Sequence, residues 1–182
     1  MKKLFIFKFM ATALVAIVML YPFWSATRNE AGSTGVLESL EAMGFFTTSA
    51  IVAAFILGVA LYCRSLQKCL SLVQPSCQAM NPKMVWLMFV PFYNLVEDFF
   101  IILNVTRSIE QEAQSNKHLE VMNSFGRVSG FGWCIAQVAS LFPSFLGVAA
   151  SFIALILWVV HWRLIIKVNA LLMIDGLDAK ST

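Results

Sequence analysis

Long apolar stretches alternate with short polar ones along the whole chain. The apolar runs occupy residues 4–24, 43–63, 84–105 and 128–166, and most charged residues lie between them. A helix of about 20 residues crosses a hydrocarbon core of ~30 Å. Lipid offers no hydrogen-bond partners, so the backbone N–H and C=O groups must pair within the protein, as they do in a helix. The pattern therefore predicts membrane-embedded α-helices, with simple crossings at 4–24 and 43–63.

The first run has the alternative of a cleaved signal peptide, because Lys2 and Lys3 precede it. Signal peptidase needs small residues at positions −1 and −3. Cleavage after Ala26 would place Trp24 at −3. A retained membrane anchor is therefore favoured.

The third and fourth runs are irregular. Residues 84–105 contain Pro91, which removes a backbone donor and favours a bent or re-entrant segment; a full crossing is the alternative. Residues 128–166 are too long for one straight crossing, and Pro143 divides them into 128–142 and 145–166. A single kinked, tilted helix is the alternative here.

The distribution of Lys and Arg favours an orientation with both termini in the cytoplasm. Positive charges concentrate in short cytoplasmic loops. A third segment that dips in and returns, with a hairpin at Pro143, leaves Arg28 as the single Lys or Arg outside. A full third crossing with one long last helix would move Arg107, Lys117 and Arg127 outside.

Composition agrees with a membrane protein, since 59% of residues are hydrophobic and 13% are charged, with a net charge of +3. These values disfavour a soluble enzyme, a disordered tail, a nucleic-acid-binding module and a disulfide scaffold. We predict one all-α membrane domain over residues 1–182, a bundle of about four embedded segments. The lipid bilayer is its first partner.

The third segment carries an unusual polar stripe. At helical spacing, one side presents Asn94, Glu97, Asp98 and Asn104. A carboxylate at mid-membrane costs about 2.5–3.5 kcal/mol on insertion scales. One interpretation is a proton or cation site; the other is a structural role at the interface, with Lys83, Arg107 or a partner's arginine as counter-ion.

Other candidate chemistry is sparse. The cysteine spacings match no zinc pattern, and no P-loop, GxGxxG, HExxH or GxSxG motif occurs. His161 lies among Trp158, Trp162 and Arg163, which is typical of an interfacial belt. We therefore predict no catalytic residue, metal or cofactor. The candidate structural anchors are Trp86, Pro91, Pro143, Trp162 and Arg163.

The stretch from Asn81 to Asn94 reads N-P-x-x-x-W-L-x-x-x-P-x-x-N, and Ser108-Ile109-Glu110-Gln111-Glu112 follows it. This pattern resembles a group of uncharacterised small bacterial multi-spanning membrane proteins, over roughly residues 81–167. The chain departs from that pattern at Glu97 and Asp98. The resemblance implies a bacterial inner-membrane location and no particular activity.

Two functions are consistent with these features. We expect a non-catalytic accessory or scaffold subunit that packs against other membrane proteins. The alternative is a small transporter, channel or sensor that uses Glu97 and Asp98.

Overall fold

The computed structural model describes residues 6–13, 17, 44–90, 92–122, 124–142 and 145–181. Every regular element in these ranges is a helix. The chain divides into two units, 1–61 and 62–182, and each is described by itself. Residues 6–13 of the first unit are helical. The remaining elements are α1 (Phe45–Leu72), η1 (Pro82–Phe89, a 3-10 helix), α2 (Asn94–Ala113), α3 (Lys117–Glu120), α4 (Arg127–Ala139) and α5 (Phe145–Ser181).

Two of these helices are long and apolar enough to cross a membrane. They are residues 46–72 of α1 and 145–175 of α5. They contain most of the predicted segment 43–63 and all of the predicted segment 145–166. The helical composition of the described residues agrees with the predicted all-α class. The predicted first crossing, 4–24, lies largely outside the described residues.

The predicted third segment contains two helices. Asn81 accepts a hydrogen bond from the Lys83 amide at 2.9 Å and caps η1, whose first residue is Pro82. Proline suits that position because the first amides of a helix lack intrahelical acceptors. Phe92 has φ +61° between η1 and α2, a conformation that is strained for a side chain of this size. Pro91 lies outside the described residues.

The predicted fourth segment also contains two helices, α4 and α5, which pack against each other. Helix α4 follows Gly126, whose φ of +85° is accessible mainly to glycine. Helix α5 continues to Ser181, beyond the end of the predicted segment 145–166. Pro143, the predicted break, lies outside the described residues.

The core of the second unit lies between the second half of α1, η1, α2, α4 and the second half of α5. Its largest fully buried apolar side chains include Leu66, Leu70, Ile101, Ile102, Ile109 and Ile165. The early part of α5 instead exposes apolar side chains such as Phe152 and Ile156. This unit therefore has a packed interior and, early in α5, an exposed apolar surface that is suited to contact with lipid.

Candidate functional site

Helix α2 turns most of its polar stripe toward the interior of the second unit. Glu97 is 2% exposed and Asp98 is 3% exposed, while Asn94 and Asn104 are half-buried. Asn94 lies at the start of α2, where its side chain accepts a hydrogen bond from the Leu95 amide at 2.9 Å. The two carboxylates of the predicted stripe therefore face the interior of this chain.

The C-terminal part of the stripe has a structural role. Glu112 Oε2 accepts a hydrogen bond from the Gln74 amide at 2.9 Å, and Ser108 Oγ accepts one from the Ala79 amide at 2.9 Å. Both side chains are buried. They supply acceptors to loop 73–81, whose backbone donors would otherwise be unsatisfied.

Asp98 has a different environment. One carboxylate oxygen accepts a hydrogen bond from the side chain of Gln137 on α4. Its other oxygen, Oδ1, is buried without a hydrogen-bond partner among the residues that the structure describes. Tyr62, Cys63 and Cys134 lie close enough for electrostatic interaction with Asp98. An acceptor left in this state is destabilising unless something else binds it.

Glu97, the neighbouring carboxylate, accepts a hydrogen bond from the Tyr93 hydroxyl. It also interacts electrostatically with Asp98. Two acidic side chains are therefore buried next to each other at the start of α2. Neither Lys83 nor Arg107 supplies a counter-ion to Asp98, because both are exposed and Asp98 forms no ion pair within the described part of the chain.

Tyr62 joins Asp98 to an aromatic cluster. Its ring is fully buried on α1, and its edge-on neighbours are Trp133 at 5.6 Å, Trp158 at 5.8 Å and His161 at 6.1 Å between centroids. Its hydroxyl has no hydrogen-bond partner within the described ranges. A second polar group without a partner thus lies in the interior near Asp98.

His161 completes a group that we call the buried polar cluster, which consists of Glu97, Asp98, Tyr62, Gln137 and His161. His161 is 1% exposed on α5, and its Nδ1 lies 3.1 Å from Ser129 Oγ. Ser129 donates to the Gly126 carbonyl at 3.3 Å, so its oxygen accepts from Nδ1–H. That arrangement leaves Nε2 as an acceptor, and it has no partner among the described residues.

Gly126, which precedes α4, and Gly130 on α4 permit the close approach to His161. A Cβ at Gly126 would lie 2.7 Å from His161 Cε1, and a Cβ at Gly130 would lie 2.5 Å from Ile102 Cγ2 and 3.0 Å from His161 Cε1. Any larger residue would force the helices apart. The glycines therefore set the distance between α2, α4 and α5 around the buried polar cluster.

The predicted anchors have separate roles. Trp86 is 41% exposed, donates to Gln67 Oε1 at 2.8 Å and stacks on Phe89. Trp162 is half-buried and donates to Ser65 Oγ at 2.9 Å, so it joins α5 to α1. Arg163 is exposed.

The sequence pattern indicates an interfacial belt around His161, and it does not show that Tyr62 and Gln137 lie near Asp98 or that Ser129 contacts His161. Helical spacing shows which residues share a face of one helix, but it does not show which faces meet. The Gly126-xxx-Gly130 spacing is typical of close helix packing, but it does not identify the side chain that fills the contact.

No group of three or more His, Cys, Asp or Glu residues suited to a metal ion occurs in the described ranges. All four cysteines are free. No protein-family model matches the chain, and no curated protein or solved structure is significantly similar to it. The similarity to small bacterial membrane proteins therefore stays a prediction.

Proposed function

We propose that this chain is a small integral membrane protein that binds and releases a proton or a small cation at Asp98, as a transporter, channel or sensor. The observation that carries the proposal is the buried Asp98 oxygen without a hydrogen-bond partner, with the unpartnered hydroxyl of Tyr62 nearby. Ionisable side chains inside a membrane are costly, and a functional role is their default explanation.

The proposed topology places Asp98 near the tip of a re-entrant hairpin, at about the level of Cys63 on α1. Cys63 on α1 contacts the Val85 carbonyl and the Met88 sulfur of η1, while Glu112 at the end of α2 binds Gln74 beyond the end of α1. Asp98, near the start of α2, interacts with Cys63. These contacts support a path that runs back along α1 through η1 and returns through α2 to the side it left.

The same topology gives an orientation. Loop 73–81, the connection between α2 and α4, and the end of α5 then share one side, and the Lys and Arg count favours the cytoplasm for it. Both termini are cytoplasmic in this proposal. The bacterial inner membrane is the membrane that the sequence resemblance implies.

Proton or cation binding follows from the energetics of the carboxylate. An isolated ionised carboxylate in an apolar interior is far less stable than a neutralised one. Protonation, or a bound cation, removes that penalty and supplies the Oδ1 atom with a partner. Glu97 beside it makes simultaneous ionisation of both carboxylates still less favourable.

The test is proton and cation flux into liposomes that contain the purified full-length protein. We expect Asp98→Asn to abolish the flux and Glu97→Gln to reduce it, with expression and thermal unfolding preserved. Glu110→Gln is the matched control, since Glu110 lies on the same helix in an exposed ion pair with Arg127 at 2.8 Å. Unchanged flux in the Asp98 and Glu97 variants, or equal loss in the control, would refute the proposal.

The alternative proposal is an accessory subunit of a larger membrane complex. It is supported by the exposed apolar side chains of α5, including Phe145, Leu146, Phe152 and Ile153, which could contact another membrane protein. Purification in mild detergent, followed by mass spectrometry of co-purifying proteins, tests it. A solubilised protein that runs as a stable monomer without partners would count against this alternative.

A further inference from the structure

The two candidate membrane-crossing helices carry the same pair of basic residues at the same spacing. Arg64 and Lys68 lie on α1, and Arg163 and Lys167 lie on α5. All four side chains are exposed. Residues four apart share a helix face, so each helix presents one basic pair.

Hydrogen bonds between the helices place the two pairs at the same level. Ser65 accepts a bond from Trp162 Nε1 at 2.9 Å through its hydroxyl, and one from Asn169 Nδ2 at 3.0 Å through its carbonyl. The ring of Tyr62, one turn earlier on α1, contacts Trp158. Contacts therefore advance in the same direction on both helices, which run parallel.

Parallel packing also places both pairs on one side of the helix pair. Each residue rotates the side-chain direction by about 100°. Arg64 precedes the contact residue Ser65 and Arg163 follows the contact residue Trp162, so the two rotations point toward the same side. The result is a single basic surface, defined by Arg64, Lys68, Arg163 and Lys167.

On each helix, the basic pair follows an apolar stretch of membrane length. Exposed apolar side chains precede the first basic residue by three positions on each helix, at Leu61 on α1 and Val160 on α5. On α5, exposed apolar side chains also follow it, at Ile166, Met173 and Ile174. Arg64 lies about 28 Å along α1 from Phe45, and Arg163 about 27 Å along α5 from Phe145, at 1.5 Å per residue. These lengths match a hydrocarbon core of ~30 Å, which puts the four cations at headgroup level.

Acidic side chains do not neutralise this surface in the described part of the chain. Glu97, Asp98 and Glu112 are buried in the interior. Glu110 is engaged by Arg127 on α4, and the two remaining described acids, Glu120 and Asp175, form no ion pair with the basic surface. No ion pair joins Arg64, Lys68, Arg163 or Lys167 to an acid within the ranges described.

We propose that the basic surface is a binding site for the phosphate groups of anionic phospholipids. Guanidinium groups match the two free oxygens of a phosphodiester, and the lysines add charge beside them. Basic pockets between membrane helices on the cytoplasmic side bind such headgroups. The neighbouring exposed apolar side chains of α5, such as Val159, Val160 and Ile166, accommodate the acyl chains of the same lipid.

The experiment measures lipid binding to the full-length protein in a neutral detergent, by tryptophan fluorescence and by native mass spectrometry. The probes are phosphatidylglycerol, phosphatidylcholine and inorganic phosphate. Each basic residue near an anionic surface contributes about fivefold in affinity. We therefore expect Arg64→Gln/Arg163→Gln to weaken phosphatidylglycerol binding about 25-fold.

The matched control is Arg107→Gln/Lys117→Gln, which removes the same charge from exposed positions elsewhere. We expect it to weaken binding less than threefold. Where the first double variant does not fold, Lys68→Gln/Lys167→Gln replaces it with the same expected loss. Equal weakening in the control, equal binding of phosphatidylcholine, or equally tight binding of inorganic phosphate would each overturn the proposal.

Discussion

Gly130 provides a sharp test of how α2, α4 and α5 pack around the buried polar cluster. In Gly130→Ala the new Cβ would lie 2.5 Å from Ile102 Cγ2 and 3.0 Å from His161 Cε1. Both neighbours are buried, at 0% and 1% exposure, so neither has solvent to move into. Helix α2 must therefore move away from α4, which also separates Asp98 from Gln137.

The magnitude follows from two opposed effects. Overpacking a filled interior costs about 1–3 kcal/mol. Replacing a glycine within a helix by alanine gains about 0.5–1 kcal/mol. Gly132→Ala is the matched control on the same helix, because its Cβ would meet a single flexible side-chain end, Leu157 Cδ1 at 3.1 Å. We expect Gly130→Ala to be less stable than Gly132→Ala by about 1–3 kcal/mol.

The assay is equilibrium unfolding of the detergent-solubilised protein, followed by tryptophan fluorescence. A double-mutant cycle with Ile102→Ala isolates the contact, since alanine at 102 lacks the Cγ2 atom. Gly130→Ala should then cost little in the Ile102→Ala background, although Ile102→Ala alone creates a cavity and costs about 2–5 kcal/mol. An equal cost of Gly130→Ala in both backgrounds would refute this account of the packing.

Two further predictions concern bonds outside the buried polar cluster. Trp162→Phe removes the indole donor to Ser65, and we expect it to lower the unfolding free energy by about 0.5–1.5 kcal/mol. The loss should not add to that of Ser65→Ala, because both substitutions remove the same bond. Strictly additive losses would show that the bond contributes nothing. Arg127→Gln removes an ion pair whose side chains are 54% and 36% exposed, so we expect a change of less than about 1 kcal/mol that vanishes at high salt.

Much of the helical organisation could be predicted from the sequence. The apolar runs indicate where α1 and α5 lie, because a membrane-length helix needs a continuous apolar segment and little else. The helix boundaries near Asn81 and Gly126 also follow from local chemistry, a capping amide and a residue that tolerates positive φ. These features depend on neighbours within a few residues along the chain.

The buried polar cluster could be predicted only in part. Glu97 and Asp98 stand out because they are carboxylates in an apolar segment. Gln137 on α4 and His161 on α5 do not stand out, since each is a single polar residue in an apolar stretch. Nothing local shows that their helices turn them toward the interior. Their meeting depends on tertiary packing across long sequence separations, which periodicity does not encode.

Helix α2 carries two kinds of buried carboxylate. We expect substitutions at the two to differ in their effect on the unfolding free energy of the protein. Glu112 accepts a hydrogen bond from the Gln74 amide, so Glu112→Ala leaves a backbone donor without its acceptor and should cost about 1–3 kcal/mol. Asp98 keeps an oxygen without a partner, so Asp98→Asn removes a buried charge and should be neutral or stabilising. Residues selected for activity often lower stability in this way. Equal destabilisation by both substitutions, measured by unfolding in detergent, would assign Asp98 a structural role and remove the basis for a proton or cation site.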